Sequence, residues 1–268
     1  MIINRRELKN RQVFKDSRGE SGMSGRLYTL EDTAGTKYLV KTNLADVLNE
    51  YVAHNIAKII GVPTSDAVLI TSKTKVVTGI VYEHDFIHAN LNDFVGLEEY
   101  PQKNIRRIVN GEIVHPLKVT EIKYPDNSPF LADIMAYEAF RVIVELSDNI
   151  QLAFVQGHII SFDYADAFCL NDNIGVLLKL HDISLPLAAF KNMLFIENGY
   201  KYSLQSLRRA DSDFLWNAYS TPMKRFLEAD FTHILDELNM IFPQIIPEFF
   251  NACFNEVREK IGKYLKSR

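Results

Sequence analysis

Residues 19–25 read Gly-Glu-Ser-Gly-Met-Ser-Gly, a turn of small residues. Lys41 follows at the end of a strand pattern, Glu50 lies in the next helix pattern, and Asp163 closes a hairpin strand about 120 positions further on. That order matches the needs of ATP-dependent phosphoryl transfer. Backbone N–H groups in a small-residue loop can approach phosphates closely. A lysine can neutralise them, and a helix carboxylate can hold that lysine in place. An aspartate at a strand end offers the hard oxygen that Mg²⁺ prefers.

Each of these residues also has a plainer reading. The glycine turn alone could be a simple hairpin, and a lysine in a strand usually faces solvent. Glu50 could sit on the surface, paired with His54 or Lys58, and Asp163 could be a turn residue. What joins them is their order. Other signatures are absent from the chain: it has no GxxxxGK[ST] phosphate loop, no GxGxxG fingerprint and no GxSxG elbow. His84 and His88 have metal-like spacing but lack the further ligands a tetrahedral site needs.

The 268 residues include 30 Lys and Arg against 34 Asp and Glu, a formal net charge of −4. A hydrophobic fraction of 47% with 24% charged residues is a core-forming composition, which excludes wholesale disorder. The acidic balance argues against a dedicated nucleic-acid-coating protein. The basic run Arg5, Arg6, Lys9, Arg11, Lys15 and Arg18 reads first as a solvated face. Two cysteines, Cys169 and Cys253, exclude a disulfide scaffold and a CxxC zinc site, so a reducing compartment is expected. Charge appears at Arg5 with no apolar stretch behind it, so no signal peptide is expected. No run reaches the ~18 apolar residues of a membrane span; the best, Ile174 to Phe190, is broken by Lys179, His181 and Asp182. The expectation is a cytoplasmic globular protein, or one delivered by a route the sequence does not show.

The elements that must position the four features can be read in outline. An extended run ahead of the 19–25 turn, then Arg26–Leu30 and Lys37–Thr42, read as three antiparallel strands, the last two about the turn Asp32-Thr33-Ala34-Gly35. Asn43–Ile60 reads as a helix, capped by Asn43 and stopped by Gly61 and Pro63. Its apolar stripe is Leu48, Val52, Ile56, Ile59 and Ile60, with Glu50 off the stripe beside Val47, Ala53 and Ala57. Strands follow near Asp66–Thr71 and Lys75–Tyr82. Residues 84–128, broken by Pro101, Pro116 and Pro125, are expected to form loops with short helices. Phe130–Leu146 reads as a helix, and Gln151–Val155 with His158–Phe162 as a hairpin about Gln156-Gly157. Helices near 213–240 and 247–266 complete an α+β chain.

Five stretches together carry a resemblance. Lys37-Tyr-Leu-Val-Lys-Thr42, Leu48-Asn-Glu-Tyr-Val-Ala53 and Ile60-Gly-Val-Pro63 resemble the small lobe of HipA-like kinases, bacterial relatives of the atypical, phosphoinositide-kinase-like fold. Gly157 to Phe168 resembles that family's strand ending in the metal-binding aspartate, and Ile241 to Arg268 resembles its closing helices. The resemblance implies a two-lobed kinase-like fold. Residues 1–83 would form an antiparallel-sheet, nucleotide-binding lobe with one helix. Residues 84–268 would form a mainly helical lobe, with a catalytic hairpin near 145–168. It implies ATP and Mg²⁺ as ligands. Lys41 would bind phosphate, with Glu50 as its helix partner. Ser21, Gly22, Ser24 and Gly25 would cover the phosphates. Val81, Tyr82 and Glu83 would form the adenine hinge, and Asp163 would bind the metal.

One part departs from that family's pattern, which is a catalytic loop Asp-x-x-x-x-Asn. Counting back through the hairpin puts Gln151 at the Asn position and Leu146 at the Asp position; choosing Asn149 instead puts Val144 there. Neither aliphatic side chain can orient an acceptor hydroxyl. Asp148 is the candidate replacement and Glu145 the second, while Asp148-Asn149 could equally be a turn. Gln151 or Asn149 would supply a second oxygen to the metal. Three readings stay open. The first is an active Ser/Thr protein kinase. The second is a degenerate kinase that binds a nucleotide or a regulatory protein partner. The third is a nucleic-acid-associated regulator using residues 1–18.

Overall fold

The structure, a computed structural model, describes residues 1–13, 27–82, 87–90, 104–109, 112–118, 129–146, 151–155, 158–207 and 209–268. The first part of the chain forms β1 (Ile2–Asn4), β2 (Lys9–Val13), β3 (Tyr28–Glu31), β4 (Lys37–Lys41), β5 (Ala67–Thr71) and β6 (Val76–Tyr82), with α1 (Leu44–Ile60) between β4 and β5. The six strands make one sheet in the order β1-β5-β6-β4-β3-β2. Only β1 against β5 is parallel. Three residues are too few to show a periodicity, and β1 has no counterpart in the sequence reading.

Side chains alternate across β4. Tyr38 and Val40 enter a small apolar cluster with Leu30, Val68, Ile70 and Val77. The opposite face, which carries Lys41, is covered by α1. Lys41 stands in register with Thr78, whose hydroxyl donates to the Val47 carbonyl of α1 at 2.6 Å. The sheet and the helix thus approach each other at the end of β4.

Asn43 caps α1 by accepting from the Ala45 N–H at 3.3 Å, and Gly61 ends it with φ +76°. The helix is buried on more sides than a single apolar stripe suggests. It lies between the sheet and the helical region, so Glu50, off the stripe, is 0% exposed while Ile59, on it, is 42% exposed. A stripe argument assumes one covered face, and α1 has two. The Gly61 turn is tightly held. A Cβ there would lie 1.9 Å from Nη1 of Arg225, which donates to the Ile60 carbonyl at 3.2 Å. Gly61→Ala should therefore cost about 1–2 kcal/mol through the positive φ and the displaced arginine. A thermal melt should show a fall of several degrees; an unchanged midpoint would contradict this.

The second sheet contains β7 (Ile87–Asn90), β8 (Asn104–Val109), β9 (Glu112–Lys118), β10 (Gln151–Val155) and β11 (His158–Phe162), in the order β11-β10-β7-β8-β9. All its pairings are antiparallel. The expected hairpin is present, but the loops and short helices expected over 84–128 are replaced, where that stretch is described, by three strands. The prolines misled. Pro116 lies inside β9, opposite Arg106, and β9 is an edge strand, where a missing N–H is tolerated.

The helices are α2 (Pro129–Val144), α3 (Ile174–Leu180), α4 (Ser184–Met193), α5 (Ile196–Ser206), α6 (Asp213–Glu228), α7 (Thr232–Ile241) and α8 (Ile245–Ser267). The helix expected near 213–240 is two helices. No helix among the described residues is long and apolar enough to cross a membrane. Aromatic side chains anchor the segment after β11. Tyr164 packs edge-on against Phe140 of α2 at 5.2 Å, and Phe168 against Phe250 of α8 at 5.2 Å. The strand end that carries Asp163 is thereby fixed to the helical core.

Candidate functional site

Three of the residues singled out from the sequence meet where the two sheets adjoin. The Lys41 ammonium donates to Oε1 of Glu50 and to Oδ1 of Asp163. Lys41 is 6% exposed and Glu50 is sealed, whereas Asp163 is 30% exposed and forms the open side of the cluster. Asp163 has φ +65°, a left-handed backbone that Asp tolerates better than most side chains. Asn49 of α1 donates to the Ala165 carbonyl and holds the turn that follows.

The electrostatics follow from this packing. Burial alone would pull the Lys41 ammonium down, but the Glu50 and Asp163 carboxylates outweigh it and hold its pKa above the usual value. Burial would raise Glu50, yet Lys41 and His54 bring it down to about 2. Asp163 is raised by burial and by the neighbouring Glu50, with Lys41 opposing. Asp46, in the first turn of α1, is also buried. Desolvation raises it to about 6, opposed by Lys41 and reinforced by Glu50, Asp163 and Asp166. One lysine is therefore set among several carboxylates, all of them oxygen donors.

A second ring of polar contacts supports the first. His54, one turn after Glu50, places Nε2 3.2 Å from Glu50 Oε2. Its Nδ1 lies 2.7 Å from Thr64 Oγ1 and 3.0 Å from the Ser65 carbonyl. Thr64 in turn reaches the Ser161 carbonyl at 3.2 Å and the Tyr164 hydroxyl at 3.1 Å. Thr64 also bridges to Ser161 of β11 as an isolated parallel pair. The sequence offered His54 only as a surface partner of Glu50 and Tyr164 only as the aromatic that follows the metal-binding aspartate in the resemblance, and nothing in it marked Asp46 or Thr64.

The other candidates fall elsewhere. Val81 pairs with Tyr38, spends its N–H on the Asp66 carbonyl at 2.8 Å and packs beside the small apolar cluster. Tyr82 pairs with Lys37 at the end of β6, and Gln151 pairs with Phe162 and Asn90 in the second sheet. Ser21, Gly22, Ser24, Gly25, Glu83, Asp148 and Asn149 lie outside the described residues. Among the described residues no three His, Cys, Asp or Glu side chains form a group that could hold a metal ion. Asp163 is the described oxygen donor on the open side, and its hard carboxylate suits a divalent cation of the Mg²⁺ kind. A cleft of about 510 Å³ lined by Asp211, Trp216, Lys224 and Arg268 holds none of the Lys41 cluster.

The aliphatic residues at the expected base position are core. Val144 and Leu146 are both buried, and the Leu146 N–H closes α2 on the Arg141 carbonyl at 3.0 Å. Glu145 is engaged by the Cys169 thiol, which donates to its Oε2 at 2.6 Å. Burial raises Glu145 to about 7, with the Cys169 hydrogen bond and Arg141 opposing. A raised carboxyl favours the fold while protonated, and this contribution is lost as pH rises from the usual carboxylate range through about 7. Glu145→Gln should thus melt higher than wild type at pH 8, and the gap should close by pH 4. A gap that stays constant with pH would contradict the assignment.

No family model matches the chain, and no curated protein matches it. Among solved structures, the proinflammatory kinase CtkA of Helicobacter pylori matches over 98% of this chain and 96% of its own, with a TM-score of 0.57 at 14% identity. The chain has a kinase-like fold. The α+β class expected from the sequence, with a strand-rich first part and a helical end, is the observed one. The HipA chain of the Shewanella oneidensis MR-1 HipA, HipB and operator DNA complex matches over 97% of this chain but 63% of its own, with a TM-score of 0.47 at 11% identity. A Golgi casein kinase with Mn/ADP bound matches over 96% of this chain and 72% of its own, with a TM-score of 0.38 at 9% identity. Within the kinase-like fold, Lys41 of β4, Glu50 of α1 and Asp163 just after β11 form a cluster of charged side chains where the two sheets adjoin.

Proposed function

We propose that the chain is an ATP- and Mg²⁺-dependent phosphotransferase that acts on a Ser or Thr hydroxyl of a protein. The observation that carries this reading is the buried Lys41–Glu50 pair closed on its open side by Asp163. Lys41 neutralises phosphate oxygens, and Glu50 keeps the ammonium in place and fully charged. Asp163, with Gln151 or Asn149, would hold the divalent cation, which offsets charge on the phosphates. In the transfer, the bond from the γ-phosphorus to the bridging oxygen breaks and a bond to the acceptor oxygen forms. ADP leaves with the bridging oxygen, and the acceptor proton passes to a base. Asp148 is the residue proposed for that role. Phosphoryl transfer depends mainly on positioning and electrostatics, so a base displaced from its usual place is compatible with turnover.

A second reading has its own observation. Val144 and Leu146, the two residues at the expected base position, are sealed in the core. A degenerate kinase that binds nucleotide without turnover would look the same there. Calorimetric titration with MgATP and a transfer assay on Asp148→Ala separate the two. The proposed activity predicts binding, turnover and a strong loss in Asp148→Ala. Binding without turnover favours the degenerate reading, and no binding rejects both. A nucleic-acid role for residues 1–18 ranks third; binding unchanged by their deletion would reject it.

A further inference from the structure

Two sealed polar atoms face each other beside the lysine. Oε2 of Glu50 and Nε2 of His54 are both fully buried, lie 3.2 Å apart and have no hydrogen-bond partner of good geometry among the described residues. A carboxylate only accepts, so a proton on Nε2 would give both atoms a partner, with Nδ1, which also faces the acceptor-only Ser65 carbonyl, accepting from the Thr64 hydroxyl. Oε1 of the same carboxylate receives Lys41, so the two oxygens are held from opposite sides. The other ring nitrogen faces Thr64 and Ser65, in the short connection between α1 and β5. Thr64 reaches β11 and Tyr164, the residue after Asp163, and Asp163 returns to Lys41. The contacts form a closed ring through both sheets.

We propose that His54 is a positioning residue for Lys41, an inference that rests on the phosphotransferase reading above. Donation from Nε2 fixes the rotamer of Glu50 and hence the direction of the ammonium. The Nδ1 contact to Thr64 sets α1 against the strand that ends at Asp163. One imidazole therefore keeps the phosphate-binding lysine and the metal-binding aspartate in register. An unpaired histidine at this sealed position would carry a desolvation cost with no return, and the ring of contacts supplies that return.

The test uses three substitutions of the full chain. Gln can place an amide donor near Nε2, Asn can place one near Nδ1, and Leu offers neither. His54→Leu should weaken MgATP binding about tenfold or more, as loss of a charge-assisted hydrogen bond would. His54→Gln should recover affinity to within about threefold, and His54→Asn should not. In a Glu50→Gln background, His54→Leu should change affinity by less than about twofold, because residues acting through one another do not add. Gln and Asn keep the comparison valid if the Leu variant does not fold. Recovery by Asn and not by Gln would show a simple brace between the sheets and overturn the proposal. A nitrogen NMR spectrum of the nucleotide-free protein supplies a readout independent of ATP. A protonated Nε2 supports the proposal, and a lone pair on Nε2 overturns it alone. Wild-type protein that binds no MgATP would instead remove the phosphotransferase reading, and the inference with it.

Discussion

Lys41→Met should abolish phosphoryl transfer and lower the melting temperature by about 10 °C. The chemical loss follows from removing the cation that faces the phosphates. The stability loss has a separate origin. Glu50 is sealed and held at a pKa of about 2 by a lysine that the variant no longer has. Breaking a buried ion pair by removing one partner costs about 3–5 kcal/mol, because the other charge stays buried. In wild type, the Glu50 contribution is present above the usual carboxylate range and is lost only as pH falls through about 2. In the variant that contribution is gone, so the two proteins should converge as pH falls below about 4. Melts of both proteins at pH 7 and pH 3.5 check this. An equal gap at both values would mean that Glu50 does not depend on Lys41.

Asp163→Asn should behave differently. Asp163 is on the open side of the cluster, and Lys41 keeps Glu50 when it is changed. Asn also tolerates the positive φ of this position. The melting temperature should therefore move by only a few degrees. Activity should fall at least about 100-fold, since an amide cannot supply the negative charge that would hold the divalent cation on which the transferring phosphate depends. The contrast between a large stability loss at Lys41 and a small one at Asp163 is a prediction in itself. A large stability loss at Asp163 would make it a structural member of the core.

Much of this arrangement was legible in the sequence, for identifiable reasons. Lys41 and Glu50 stand on regular elements, and a strand end followed by a capped helix brings them close. The hairpin that carries Asp163 has a clean two-residue turn signal, so its register could be read. Tertiary packing decided the rest. Glu50 looked like an exposed position because the apolar stripe of α1 runs along another face, and a second layer that covers that face cannot be seen from one helix. The strands over 84–128 were hidden by prolines, which an edge strand accepts. His54 showed only as a possible surface partner of Glu50, and Thr64 gave no signal because it acts on residues far along the chain. The catalytic loop was the hardest part: the resemblance puts Leu146 or Val144 at its Asp position, and both are buried.

The most direct test is transfer of labelled γ-phosphate from ATP, with and without Mg²⁺, to the protein itself and to a generic protein acceptor. Asp163→Asn is run beside wild type after their melts are compared. The account predicts Mg²⁺-dependent label in wild type and its loss in a folded Asp163→Asn protein. Equal label in both proteins, or no label in either, would contradict the claim that the Lys41, Glu50 and Asp163 cluster transfers phosphate.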